Sequence, residues 1–176
     1  TDTDSWLSYI TVIDGSLDYM YLNLTNAKAN HSIAVPTSSV FSVDSGNSSN
    51  GSTDALIAYC FHSVDGYSKV GSYTGNGSTD GTFIYTGFRP AWVMVKDTSA
   101  GGGSWGIYDS KRSPNNVMSE RLVASASQAE ATNTSAYDFT SNGFKIRTSD
   151  SNFNTNNTTF IYLSFSETPF KYSNAR

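Results

Sequence analysis

Four short stretches of this chain recur in the same order about a hundred residues further on, and that recurrence narrows the possible folds more than any single motif does. Ser5-Trp6-Leu7-Ser8-Tyr9 answers Ser104-Trp105-Gly106-Ile107-Tyr108 at an offset of 99, and Asn26-Ala27-Lys28-Ala29 answers Gln128-Ala129-Glu130-Ala131 at 102. Phe41-Ser42-Val43 answers Phe144-Lys145-Ile146 at 103, and Ile57-Ala58-Tyr59-Cys60-Phe61 answers Ile161-Tyr162-Leu163-Ser164-Phe165 at 104. A kept order with so little drift points to a duplicated unit. The second unit carries an apolar run, Ala91 to Val95, ahead of its Trp105, whereas the first reaches Trp6 at once. The predicted organisation is therefore an N-terminally truncated β-sandwich unit over 1–70 and a complete one over 71–176. Trp6 should superpose on Trp105 and Phe61 on Phe165. A sheet lacking one strand exposes apolar surface and an unpaired edge, so cover is expected from upstream chain or from a neighbouring subunit's strand.

Side chains on a strand alternate between two faces, so period-two patterns locate strands. Ile161, Leu163 and Phe165 share one face, as do Ile57, Tyr59 and Phe61, which marks both segments as core strands. Phe144 and Ile146 alternate with Lys145 and Arg147, the pattern of a strand with one wet face, and Phe41 and Val43 repeat it more weakly. Ala91 to Val95 is apolar on both faces and belongs in the middle of a sheet, with Pro90 just outside it, where a missing N–H does no harm. The runs Ser45 to Ser52, Thr74 to Ser78, Ala100 to Gly103 and Ser151 to Thr159 consist of turn-forming residues and read as loops. Only Ser119 to Ala131 has room for a short helix.

Composition agrees with this. The 29 Ser, 19 Thr and 15 Asn against seven Leu disfavour helices and suit short strands joined by polar turns. Aromatic residues at 14% are too many for a disordered chain of such polarity. The predicted fold class is all-β, an antiparallel sandwich of jelly-roll or lectin-like type. A net charge of −4 with 15% charged residues argues against a nucleic-acid partner, and no run approaches a membrane span. One cysteine excludes an intramolecular disulfide framework and a Cys-cluster zinc site.

The wording of several segments is more specific. Tyr59 to Lys69, Gly71 to Gly81, Tyr85 to Lys96, Ser141 to Lys145 and the ending Pro169 to Arg176 resemble an uncharacterised domain recurring in structural proteins of marine tailed bacteriophages. The resemblance covers about residues 55 to 176 and implies a virion component, a tail fibre or other structural protein. It supplies no catalytic or ligand residues.

Candidate sites follow from residue chemistry. Three Trp, eleven Tyr and ten Phe serve either as core and interface packing or as a platform on which sugar faces stack. Trp6 and Trp105 hold equivalent places and Trp92 lies in the apolar strand, so all three are assigned to the fold. Tyr67, Tyr73 and Tyr85 flank glycine-rich loops and are the candidates for an exposed ligand-binding surface. Two histidines, with no Glu-x-x-His and no Gly-x-Ser-x-Gly, support neither a metalloprotease nor a serine hydrolase. Cys60 answers Ser164 and is read as a small strand residue. Asp65, Asp80, Asp97, Asp109 and Glu167 are available for a glycosidase pair, but no spacing brings two together. The loops Asn76 to Asp80 and Asp150 to Asn157 carry oxygen ligands for calcium but lack the alternating acids of an EF-hand, so ordinary turns are favoured. Gly75 to Gly81 has the wrong glycine spacing for a nucleotide loop.

The predicted function is a non-enzymatic bacteriophage virion protein without cofactors or metals, located in the extracellular particle. It would form part of a fibre or appendage whose loops meet host-surface glycan. Its partners would be other virion subunits and further copies of itself in a homo-oligomer. The alternatives are a purely architectural capsid-decoration or tail protein and a bacterial extracellular filament or adhesin subunit.

Overall fold

The computed structural model describes residues 5–52, 55–99, 103–132 and 136–169. Eleven strands carry the described fold, β1 (Leu7–Ile10), β2 (Asp18–Tyr21), β3 (Ala29–Asn30), β4 (Ser68–Thr74), β5 (Phe83–Tyr85), β6 (Pro90–Asp97), β7 (Gly106–Asp109), β8 (Leu122–Val123), β9 (Tyr137–Thr140), β10 (Gly143–Ile146) and β11 (Thr159–Ser166). Two four-residue helices, α1 (Asn47–Asn50) and α2 (Ser151–Asn154), fall inside runs expected to be loops. Ser119 to Ala131 contains the two-residue β8 and no helix. The chain is nearly all β, and the strand pairings among the described residues are antiparallel.

The strands form sheets of order β1-β2-β3, β5-β10-β9 and β4-β11-β6-β7-β8. The apolar run Ala91 to Val95 lies within β6, between β11 and β7, in the interior position that two apolar faces demand. Its alternate residues serve different clusters. Val93 and Val95 join Tyr73, Tyr108, Tyr137, Phe139, Phe144, Phe153, Phe160 and Tyr162 in the main core. Met94 turns the other way, to a second cluster of Ile10, Met20, Trp105 and Ile161. The five-stranded sheet thus buries both faces, one with residues of β5, β9 and β10 and the other with residues of β1 and β2. The boundary between residues 70 and 71 falls inside β4, which pairs with β11 along its length, and the second cluster mixes residues from both sides of it.

Two of the matched segments have matching registers. Leu7 faces Tyr21 in β1–β2, and Gly106 faces Val123 in β7–β8; Tyr19 faces Ala29, and Arg121 faces Ala131. Leu22 N donates to Trp6 O at 2.8 Å where Ala124 N donates to Trp105 O at 3.2 Å. Trp6 N donates to Asn23 Oδ1 at 2.9 Å where Trp105 N donates to Ser125 Oγ at 3.4 Å.

Other expectations from the pattern are corrected. Trp105 is 4% exposed and donates Nε1–H to Tyr21 O, but Trp6 is 64% exposed and is not a core residue. Ile57 to Phe61 forms no strand and lies in solvent, Ile57 at 80% and Tyr59 at 72%, and Phe41 and Val43 are likewise exposed outside any strand. Phe61 does not occupy a place equivalent to Phe165; the two rings touch each other, 6.0 Å apart. In β11 the deepest face is Phe160, Tyr162 and Ser164, with Leu163 and Phe165 only partly buried. Parity separates two faces but does not say which packs more tightly when both are apolar.

Candidate functional site

A shallow surface depression lies where the start of β4 meets the end of β5. Val64 and Ser68 close a tight turn through reciprocal backbone bonds of 3.0 Å, with Gly66 at φ +69°. A positive φ is cheap only for glycine, so Asp65-Gly66 marks this turn in the sequence. Opposite it, the N–H groups of Thr86 and Gly87 both donate to Asn142 O, at 3.0 and 3.2 Å, which fixes the bend after β5. Gly87 has φ +86°, and a β-carbon there would lie 3.7 Å from Tyr85 Oη and 3.9 Å from Asp65 Oδ1. The tyrosine hydroxyl and the carboxylate therefore converge over one glycine from positions twenty residues apart.

Between them Ser63, Val64, Asp65, Ser68, Lys69 and Thr86 line a depression of ≈ 120 Å³. That is well below the roughly 300–1,000 Å³ of sites that enclose a small molecule. Hydroxyls, a carboxylate and an ammonium group supply donors and acceptors of the kind that bond sugar hydroxyls.

Two tyrosines adjoin lining residues in the chain, Tyr67 before Ser68 and Tyr85 before Thr86. Tyr85 is 65% exposed and Tyr67 39%. Tyr67 packs edge-on against Phe165 at 5.9 Å, and Phe165 also meets Phe61 at 6.0 Å and Trp92 at 5.7 Å. Trp92, expected in the core, is only partly buried at this cluster. Arg89 Nε and Glu167 Oε2 form an ion pair of 2.9 Å beside it in the chain.

Two of the three candidate tyrosines are exposed and adjoin lining residues in the chain, and the third is neither. Tyr73 is a core residue, 7% exposed, stacked on Phe160 at 5.0 Å with its hydroxyl donating to Phe153 O at 2.8 Å. Burial pushes its phenol well above the usual range. Nearness to a glycine-rich loop says nothing about which face of the strand a ring occupies, and Tyr73 points inward.

The remaining candidates are engaged elsewhere. Asp80 pairs with Lys145 at 2.8 Å, Asp109 with Arg112 at 2.5 Å, and Asp97 accepts from Ser99 N at 2.7 Å. The two suspected calcium loops do meet, but through amides. Asn154, fully buried, accepts from Asn76 N at 2.9 Å and donates to Asn76 Oδ1, Ser78 O and Thr148 O. Asp150 caps α2 by accepting from Asn152 N. Among the described residues no three His, Cys, Asp or Glu side chains cluster as metal ligands would. Cys60 is exposed and lies outside any strand.

His31, Asp44 and Ser49 form a further polar group. His31 Nε2 lies 2.9 Å from Asp44 Oδ2, and Ser49 Oγ donates to Asp44 Oδ1. The serine bonds the carboxylate rather than the imidazole, and His31 Nδ1 accepts from Ile33 N at 3.3 Å, so the arrangement lacks the serine-to-imidazole bond of a nucleophilic triad. The Ser49 hydroxyl, with the Gly46 N–H, holds the Asp44 carboxyl below its ordinary range. Edge-on contacts with Tyr9 and Tyr19 at 5.4 and 5.5 Å complete the imidazole's surroundings.

Among the described residues no helix is long and apolar enough to cross a membrane. Residues 1–169 match the family described as a domain of unknown function, DUF7483. No curated protein and no solved structure matches the chain.

Proposed function

We propose that this chain, which belongs to the DUF7483 family of domains of unknown function, is a non-enzymatic structural protein of a bacteriophage virion that helps attach the particle to glycan on the host surface. The phage assignment rests on the resemblance of residues 55 to 176 to domains of marine phage structural proteins. The attachment role rests on one geometric observation, the approach of the Tyr85 hydroxyl and the Asp65 carboxylate over Gly87, where Asp65 also lines a depression with Lys69 and Thr86. Exposed rings offer faces for sugar stacking, and the polar lining offers hydrogen bonds. Such a shallow site binds weakly alone. Repeated copies in a homo-oligomeric fibre or appendage raise effective concentration and sum weak contacts into firm adhesion.

In this reading the sheets pack as β-sandwich layers and the chain descends from a duplicated unit. The shared registers of β1-β2-β3 and β7-β8-Ala131 support the duplication. The purely architectural alternative, capsid decoration or a tail component, draws support from the exposed Val35, Val40, Phe41, Val43, Leu56, Ile57, Tyr59 and Phe61, which burial against other virion proteins would cover.

Whole-cell adsorption and glycan-array binding of the isolated protein test the attachment role. Saturable binding that Tyr85→Ala and Tyr67→Ala each weaken by roughly 1 kcal/mol per contact, about fivefold, supports it. Absence of envelope binding together with binding to purified phage particles favours architecture. Loss of envelope polysaccharide in the presence of the protein would overturn the non-enzymatic reading.

A further inference from the structure

We propose that residues 55–61 form a strand donated to the free edge of β1 in a second copy of this chain, with the two copies exchanging these arms reciprocally. The proposal deepens the oligomer part of the function above and rests on it only there.

The arm reads Ala55-Leu56-Ile57-Ala58-Tyr59-Cys60-Phe61, seven residues without a charge or an amide side chain. Leu56, Ile57, Tyr59 and Phe61 are 53–80% exposed, and the segment forms no strand. Single exposed apolar residues are ordinary on a protein surface, but an unbroken apolar run of strand-forming composition is not. Ile57, Tyr59 and Phe61 fall on one parity and Leu56, Ala58 and Cys60 on the other, so both faces are apolar, as a strand covered on both faces requires.

Among the described residues, the contacts that hold the arm lie at its C-terminal end. Ser68 Oγ donates to His62 O at 2.8 Å, and Phe61 meets Phe165. Extension of the Val64–Ser68 turn along the chain's own β4 is blocked at its next step. There Val70 N donates to Ser63 Oγ at 3.1 Å and Ser63 Oγ donates to Val70 O at 3.3 Å, so a side chain already fills the backbone sites that a continued ladder would use.

The acceptor is defined by comparison within the chain. β7 and β1 share a register against their following strands, but β7 has β6 on its other side and β1 has no partner there among the described residues. β6 is apolar on both faces, the character the arm also has. Because Trp6 O accepts from Leu22 N, alternate residues Ser8 and Ile10 bond toward β2, and Leu7 and Tyr9 direct their N–H and C=O groups outward. Donor and acceptor therefore lie on one molecule and supply what each lacks, the condition for a closed two-fold exchange. Tyr59 and Phe61 each leave on the order of 100 Å² uncovered, so these rings from two arms, with an equal area on the acceptor edges, bury roughly 800 Å² before Leu56, Ile57 and the backbone are added.

Light scattering coupled to size exclusion, run over a concentration series, reads the assembly, and the reaction rate of Cys60 with a thiol reagent reads the arm. The expected result is twice the chain mass at high concentration, dissociating on dilution, with Cys60 slowed roughly tenfold in the pair. Tyr59→Lys and Leu7→Pro should each raise the dissociation midpoint by at least roughly tenfold, while Leu24→Lys, at another exposed apolar position, leaves it unchanged. Tyr59 is exposed in the single copy, so its variant reports on pairing even where Leu7→Pro impairs folding. A single-chain mass at every concentration, indifference to Tyr59→Lys, or a ladder of larger species would overturn reciprocal exchange. A monomer that still adsorbs to host envelope removes this inference and leaves attachment standing; a dimer that does not adsorb does the reverse.

Discussion

Phe153 and Gly106 are expected to behave as one packing unit, which makes their double mutant more informative than either single change. Phe153 is 1% exposed; its ring meets Tyr108 and Tyr137, each at 5.8 Å, and the Arg121 guanidinium lies 5.5 Å from its centroid. Removing such a ring costs about 3–5 kcal/mol in transfer and cavity terms. Gly106, on β7 between β6 and β8, faces that ring so closely that an added β-carbon would lie 2.6 Å from Cε1 and 2.9 Å from Cζ. The ring is held on both sides and cannot swing away, so Gly106→Ala alone should cost about 1–3 kcal/mol as overpacking. In Phe153→Ala/Gly106→Ala the clash disappears and the new methyl occupies part of the void. The double mutant should therefore be more stable than the sum of the singles by about 2 kcal/mol. Urea unfolding with linear extrapolation measures all three variants, and melting should fall by roughly 2–4 °C for each kcal/mol lost. Additivity within about 0.5 kcal/mol would refute the claim that this contact fixes the glycine.

Lys96 is fully buried with backbone acceptors, Asp97 O at 2.8 Å and Thr25 O at 3.4 Å, and burial holds its ammonium below the usual range despite the nearby Asp97. Its charged form opposes folding below the unfolded pKa, so stability should rise as pH climbs from the folded value through about 10.5; chemical denaturation across that window should show the rise in the parent and not in Lys96→Met. For Asp109, burial acts to raise the carboxyl, but the backbone N–H and guanidinium of Arg112 outweigh it and leave it below the ordinary 3.8. Its contribution should be complete above that value and vanish as pH falls through the folded one, a dependence that Asp109→Asn removes in acid titrations followed by circular dichroism. Lys28→Met should cost about 3–5 kcal/mol by urea titration, because it strands the fully buried Asp18 carboxylate now paired with Lys28 Nζ at 2.9 Å.

The residue pattern disclosed those parts of the fold that depend on neighbours along the chain. Phe144 and Ile146 are fully buried while Lys145 and Arg147 face outward, as their alternation required. The apolar character of Ala91 to Val95 was enough to place it inside a sheet. The candidate site was legible only in part. Tyr67 and Tyr85 are exposed beside glycine turns, but Tyr73, similarly flanked, points inward against Phe160. Asp65 stood in the sequence only as one acid among five, and the Phe61–Phe165–Trp92 cluster left no local signal because its members lie far apart in the chain.

What the chain settles alone is its strand-forming nature and the two-faced character of its strands, since both follow from backbone preference and period-two alternation over a few residues. Tertiary structure decided the rest. Trp6 and Trp105 share a backbone setting, but only Trp105 meets Ile10, Met20 and Ile161 and is removed from water. The segments Ile57–Phe61 and Ile161–Phe165 have similar side chains, but only the second has β4 and β6 on either side. Burial and pairing are properties of what arrives from elsewhere in the chain, so like sequences lead to a core strand in one place and an exposed arm in the other.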